Sequence, residues 1–306
     1  MNKLFFQSAV VSTVLSYLLI FVGGLVRVSG SGLGCPDWPK CFGRWIPPTN
    51  ISQIPEYIDP SSFNIVLAWI EYGNRLLGVI VGLSIVVMTM IAIIYIRKNK
   101  KILFNSLLAL FLVGANGGLG AIVVSSVLNP FIVSLHMILA LFLVSVLSYL
   151  CIEGYKIENN DSFSNVFLSK KISFSLITLW IVIVIEILLG TGIRTNLELI
   201  AVDNPLFSKG ELLSSLNNYK YLHTVLGFSL LFLSLYLCFL FRRDNLGLSK
   251  QLVYFILVMI IIQIFLGELM IFFELPQLTR LFHTWGSSWL VGIIIILYNS
   301  LQYEQA

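Results

Sequence analysis

The chain has 306 residues, of which 58% are hydrophobic and 11% are charged, and its formal net charge at pH 7 is +4. A composition this apolar excludes a water-soluble globular protein and indicates a chain built for lipid. Lysines and arginines in short loops account for the positive charge, so it requires neither a nucleic acid nor an acidic substrate as partner.

Eight apolar stretches are long enough to cross the hydrocarbon core of a bilayer, which is about 30 Å thick. They cover residues 4–26, 65–96, 102–125, 131–152, 172–193, 219–241, 250–273 and 281–302. The sequence therefore predicts an all-α integral membrane protein with eight transmembrane helices. No small-residue cleavage pattern follows the first stretch, so we interpret it as a retained helix rather than a signal peptide.

Lysines and arginines, which are enriched in cytoplasmic loops, follow every second predicted helix. They are Arg97, Lys98, Lys100 and Lys101, then Lys156, Lys170 and Lys171, and finally Arg242, Arg243 and Lys250. Together with Lys3, they predict that both termini face the cytoplasm. We expect a multi-pass protein of a bacterial-type inner (cell) membrane.

The outer loop between the first two helices, residues 27–64, is long and rich in Gly, Pro and Trp, and it contains Cys35 and Cys41. In an oxidising compartment these cysteines can form a disulfide bond. The sequence leaves open whether such a bond would be a structural staple or a redox pair. A zinc site is less expected, because the matching loop of the second half has no pair of Cys or His residues.

Three acidic residues lie within predicted membrane helices, where an ionisable group is costly and by default indicates function. Glu71 lies about two turns into the second helix, and the alternative is an ion pair with Arg75 at the i,i+4 spacing. Glu186 and Glu268 lie in the fifth and seventh helices. For these two, a structural hydrogen bond and a role in proton transfer both remain open.

An internal repeat relates the three histidines of the chain. His136 and His283 are 147 residues apart, in the fourth and eighth helices, and His223 of the sixth helix lies 149 residues after Asn74 of the second. A single histidine near a helix end is commonly a satisfied interfacial side chain. Two facing imidazoles inside a helix bundle, however, are a common way to hold a haem iron, and the second half has such a pair.

The repeat predicts two tandem four-helix bundles, residues 1–155 and 156–306. Because each half has an even number of helices, both point the same way and are related by a pseudo-two-fold axis along the membrane normal. The four repeat positions then lie at one depth, near the outer leaflet. Arg27 and Arg194 follow the Gly-rich ends of the first and fifth helices and reach the same layer, where they could pair with carboxylates.

Three features resemble the haem A synthase family along essentially the whole chain. They are the loop R-V-S-G-S-G-L-G-C-P-D-W-P from Arg27 to Pro39, followed by Cys41, the E-x-x-N-R of Glu71 to Arg75, and one histidine in each of helices four, six and eight. The resemblance implies oxidation of the C8 methyl group of haem O to a formyl group, which supports cytochrome c oxidase assembly. The implied partners are haem O, haem O synthase, oxidase subunits, an unspecified electron carrier and the bilayer, and a homo-oligomer is left open.

The resemblance also implies roles for individual residues. The second half of such proteins holds haem b through a histidine pair, which corresponds to His223 and His283. The first half receives the substrate haem. The corresponding residues there are His136, Asn74, Arg75 and Arg27 for binding this haem, Glu71 as the catalytic carboxylate, and Cys35 and Cys41 as the loop cysteines. Arg194 becomes a candidate contact for a haem propionate.

One departure from the family pattern matters, because the motif usually reads Glu-x-x-His-Arg and this chain has Asn74 at the histidine position. Asparagine is a weak iron ligand. Either the open coordination position serves the oxidation, or the chain is a non-catalytic membrane cytochrome b or haem carrier. The presence of Glu71 and Arg75 favours the enzyme. A transporter with parallel repeats is disfavoured, because the polar residues cluster near the outer leaflet rather than at the midplane.

Overall fold

The computed structural model describes residues 1–159, 167–216, 218–242 and 247–303, and the predicted loop residue Arg243 lies outside them. The long helices are α1 (Asn2–Ser29), α2 (Ile65–Tyr95), α3 (Lys100–Ser125), α4 (Pro130–Asn159), α5 (Lys170–Asp203), α7 (Tyr219–Leu240), α8 (Leu248–Phe272) and α9 (Gln277–Ser300). A short helix, α6 (Lys209–Ser214), precedes α7. Two-residue strands, β1 (Phe167–Leu168) and β2 (Gln302–Tyr303), pair in parallel.

Eight of these helices are long and apolar enough to cross a membrane, which confirms the predicted all-α membrane protein. The fifth helix continues ten residues beyond its predicted end at residue 193. An ion pair between Arg194 and Glu198, one turn apart, lies in this extension. The prediction followed only the apolar run, whereas helical hydrogen bonding continues into polar sequence where such i,i+4 pairs support it.

Polar side chains cap the start of several of the helices. The side chain of Asn64 accepts hydrogen bonds from the backbone N–H groups of Val66 and Leu67 at the start of α2. Asn99 caps α3 and Ser169 caps α5 in the same way. Each cap satisfies N–H groups that have no partner inside the helix. The cap of α2 sets the position of the helix turn that carries Glu71.

The chain divides into two compact units, Met1–Gly154 and Tyr155–Ala306. In the first unit α2 packs against α1 and α3, and in the second α5 packs against α7 and α9 while α8 packs against both of these. Fully buried apolar side chains form the core of each unit, among them Phe5, Ile85, Met88 and Leu147 in the first and Leu176, Leu179 and Leu237 in the second. The pseudo-two-fold axis and the cytoplasmic termini stay predictions.

Candidate functional site

The long loop of the first unit contains the disulfide bond that the sequence allowed, between Cys35 and Cys41. Both cysteines are buried and form a small cluster with Phe42 and with Ala68 of α2. Partly buried side chains from the rest of the loop pack against it: Ile54, Ile58 and Phe63. The disulfide is thus at the centre of a mini-core that holds the loop on the first turns of α2.

Glu71 anchors this loop from the helix side. Its side chain is buried, with 3% of the residue exposed. Oε1 accepts hydrogen bonds from Nε and Nη2 of Arg75, at 3.2 and 2.5 Å. Oε2 accepts a hydrogen bond from the backbone N–H of Cys35 at 2.8 Å. The ion pair that the spacing suggested is therefore present, and the same carboxylate also binds the loop.

Arg75 extends the network to the loop backbone. Nη1 donates to the carbonyl oxygens of Asp37 and Lys40, both at 2.8 Å, and Nη2 donates to that of Cys35 at 3.3 Å. The Asp37 carboxylate in turn accepts the backbone N–H groups of Phe42 and Gly43, at 2.6 and 2.8 Å. Ionised groups make the stronger hydrogen bonds. The loop is therefore held by charge-assisted bonds as well as by its disulfide.

Gly34 allows the close approach of loop and helix. A Cβ atom at this position would overlap the backbone carbonyl of Leu67 in α2. A larger residue would displace Cys35 and its hydrogen bond to Glu71. Sequence reasoning missed the roles of Gly34 and Asp37, although both lie within the G-C-P-D-W segment that it had noted.

Each of the four repeat positions faces a glycine of the preceding long helix in its own unit. The pairs are Asn74 with Gly23, His136 with Gly120, His223 with Gly190, and His283 with Gly267. A Cβ atom on any of these glycines would lie 3.4–3.8 Å from the facing side chain. Each polar side chain therefore lies directly against the backbone of its neighbouring helix.

The two histidines of the second unit face each other. Their ring centroids are 6.3 Å apart and their planes are inclined by 71°. Two ring nitrogens at about 2 Å from one metal ion place the ring centres about 6 Å apart. His223 and His283 therefore fit the axial ligands of a single haem iron.

His223 has a carboxylate partner that the sequence did not reveal. Oε2 of Glu186, in α5, lies 2.5 Å from Nδ1 of His223, in α7. Glu186 is buried, with 7% of the residue exposed. The structure thus gives this intramembrane carboxylate a defined contact, whereas Glu268 is exposed in α8.

The first unit presents a different arrangement at its repeat positions. His136 lies against Gly120, and Asn74 takes the place that a second histidine has in the other unit. Within the described residues, the buried Oδ1 atoms of Asn74 and of Asn116 make no hydrogen bond. Buried polar atoms in a membrane protein require a partner. These atoms therefore fit a site that accepts a polar or metal-containing ligand.

Arginines cluster near the histidine pair of the second unit. Arg194 donates from Nε to Glu198 at 2.7 Å, and the charges of both residues act on Arg280 of α9. Nε of Arg280 is buried and makes no hydrogen bond within the described part of the chain. Arg280 lies one turn before His283. Two guanidinium groups and a single carboxylate suit a ligand with anionic groups. Sequence reasoning missed Arg280 because it precedes the apolar run. Arg27 of the first unit is half-buried.

Comparisons with known proteins indicate the family to which the chain is related. Residues 7–295 match the family model COX15-CtaA, described as cytochrome oxidase assembly protein. A protein named heme A synthase from Geobacillus kaustophilus is 30% identical over 138 residues, which are 45% of this chain and 39% of that relative. Heme A synthases from Lysinibacillus sphaericus and Pelagibacter ubique are 25% and 28% identical, and these matches cover 94% and 92% of this chain and 91% and 92% of the relatives.

Proposed function

The chain belongs to the COX15-CtaA family of cytochrome oxidase assembly proteins, and from this we propose that it makes haem A for cytochrome c oxidase. The proposed reaction oxidises the C8 methyl group of haem O to a formyl group. Relatives named heme A synthase that match along nearly the whole chain support the proposal. We place the protein in a bacterial-type inner membrane with both termini in the cytoplasm, and propose haem O synthase and oxidase subunits as its partners.

One observation carries the proposal, the contrast between a paired and an unpaired histidine. The second unit has two imidazoles at the separation that one iron requires, 6.3 Å between centroids. His223 and His283 would hold haem b, which would supply one-electron transfer in this unit. The first unit has His136 alone, with Asn74 as its counterpart. A haem substrate with one firm axial ligand is suited to chemistry rather than to electron transfer alone.

We assign the substrate haem to the first unit. His136 would bind the iron of haem O, and the unpaired Oδ1 of Asn74 would face the other side as a weak ligand or as a hydrogen-bond acceptor. Glu71, one turn before Asn74 on α2, is buried and pairs with Arg75. Its carboxylate would accept a proton, or stabilise positive charge, as the methyl group is oxidised.

The arginines provide the complementary charge for haem carboxylates. Arg27 is proposed for the propionates of the substrate in the first unit. In the second unit, Arg194 and Arg280 together exceed the negative charge of Glu198, so they are proposed to bind the propionates of haem b. Arg75 already donates to the loop carbonyls, so its part in substrate binding is to hold the loop against α2.

The test is to purify the protein from a host that also makes haem O and to identify each extracted haem by chromatography and mass. We expect haem b together with haem O, its hydroxylated form or haem A. The presence of Asn74 favours a second candidate, a non-catalytic cytochrome b or haem carrier, which predicts haem b without oxidised haem. A preparation without any haem would contradict both.

A further inference from the structure

We propose that Glu186 is a positioning residue that fixes the orientation of the His223 ring, so that Nε2 is the nitrogen presented to the haem b iron. The inference rests on the proposed binding of haem b by His223 and His283. Nothing in the family resemblance assigns a role to this carboxylate.

The contact between the two side chains sets which ring nitrogen is left to face a metal. Oε2 of Glu186 lies 2.5 Å from Nδ1 of His223, within ion-pair distance. Both atoms are buried, and neither makes a hydrogen bond within the described residues. With the carboxylate against Nδ1, Nε2 is the ring nitrogen that remains for a metal. Histidines that bind metals commonly have a carboxylate at their other ring nitrogen, which orients the ring and makes it a stronger ligand.

Two glycines allow Glu186 and His223 to pack closely against the opposite helix. Glu186 and Gly190 are one turn apart on α5, and His223 and Gly227 are one turn apart on α7. A Cβ atom at Gly227 would lie 3.3 Å from Oε1 of Glu186, and one at Gly190 would lie 3.4 Å from Cε1 of His223. Each side chain therefore lies over the glycine of the opposite helix, and neither can shift without losing this fit.

The first unit lacks the carboxylate and the histidine together. The repeat relates Gly190 to Gly23 and Gly227 to Gly78, so both glycines are present there. The position of Glu186 is occupied by Leu19, and that of His223 by Asn74. A carboxylate with a merely structural role between the helices would have no reason to be absent where the imidazole is absent. This co-occurrence supports a role of Glu186 that is exerted through His223.

The experiment compares three variants of the full-length protein with the wild type. Glu186→Gln keeps the shape and an acceptor oxygen but removes the charge, and Glu186→Leu introduces the residue of the first unit. Glu268→Gln is the matched control, because it removes an intramembrane carboxylate of the same unit at an exposed position. The readouts are haem b per polypeptide and the midpoint potential of the bound haem, each measured on protein that elutes as a single species in detergent.

We expect Glu186→Gln to retain haem b with a more positive midpoint potential, because an amide beside Nδ1 strengthens the imidazole as a donor to ferric iron less than a carboxylate does. Glu186→Leu should bind haem b about 10- to 100-fold more weakly, as loss of such outer partners does at metal sites. The control should match the wild type in both readouts.

If the wild type holds haem b and both Glu186 variants match it in content and potential, the inference is overturned and the proposed function stands. Wild-type protein without haem b would instead overturn the proposed function, and the inference with it. If Glu186→Leu does not fold, the midpoint potential of haem b in Glu186→Gln decides the test, because that variant preserves the packing.

Discussion

The two units place a polar side chain against a glycine in the same way, but they surround it with charge differently. In the second unit His223 lies against Gly190 and contacts the carboxylate of Glu186. The carboxylate lies directly against the imidazole. A ring oriented by such a contact is suited to hold a metal permanently.

In the first unit, Asn74 lies against Gly23, and the carboxylate of Glu71 is directed elsewhere. It binds Arg75 and the backbone N–H of Cys35 in the disulfide loop. The glycine contact thus sets where the polar group lies in each unit, while the placement of the buried carboxylate decides what that group can do. A charge held beside the site, rather than on an iron ligand, is available to a reacting substrate.

The largest expected effect is the loss of haem b on replacement of either member of the histidine pair. His223→Ala or His283→Ala removes one of the two proposed iron ligands, so we expect purified protein with essentially no haem b. His136→Ala is the matched control in the other unit, and it should retain the full haem b content. An absorption spectrum and a haem-to-protein ratio check this, and loss of haem b in all three variants would contradict the assignment of the two units.

Replacement of Glu71 should separate the two units in function. Glu71→Ala is expected to leave the haem b spectrum intact and to lower haem A formation at least about 100-fold, the range of general acid–base contributions. Haem analysis of the purified protein measures both. Glu71→Gln is the control for structure, since its amide oxygen can still accept the N–H of Cys35. If this variant forms haem A at the wild-type rate, the carboxylate serves only the loop.

The disulfide loop belongs to the first unit alone within the described residues, so its removal should weaken that unit selectively. Cys35→Ser with Cys41→Ser is expected to lower the free energy of unfolding by about 2 kcal/mol, because the unfolded loop is no longer constrained. Thermal unfolding in detergent, with haem b retained, is the measurement. If the disulfide has only a structural role, we expect lower stability and a parallel reduction in haem A formation. Loss of product at unchanged stability would instead indicate a redox role.

Much of the fold was predictable because apolar length alone determines membrane helices. The eight apolar runs became α1 to α5 and α7 to α9. The short helix α6 was missed, although its start carries a capping box of Ser208 and Glu211, a signal that the sequence does contain. Hydrophobicity alone does not reveal a helix of six residues that lies outside an apolar run.

The candidate site was predictable where contacts are local and not where they cross between elements. The ion pair of Glu71 with Arg75 follows from the i,i+4 spacing on one helix. The contact between Glu186 and His223 depends on how α5 and α7 are rotated about their axes, which hydropathy does not encode. The bonds from Arg75 to the loop carbonyls depend likewise on a chain path that the disulfide and Gly34 impose.

The smallest expected effect, and the one that bears most directly on the comparison, comes from Asn74→His. This change gives the first unit the imidazole of the second but not its carboxylate, because Leu19 occupies the position of Glu186. We expect haem O to be retained about 10-fold more tightly, or about 1.4 kcal/mol, with haem A still formed. Equilibrium retention of haem O and the yield of haem A are the measurements.

The enzyme and carrier interpretations of Asn74 predict different results for this variant. In an enzyme, Glu71 and Arg75 remain beside the site, so a stronger ligand changes binding without removing the chemistry. In a carrier, the added histidine increases the amount of bound haem and no formyl product appears. Adding Leu19→Glu to Asn74→His completes the arrangement of the second unit. If buried charge on the imidazole distinguishes the two units, this double variant should hold haem O more firmly still and oxidise it more slowly than Asn74→His alone.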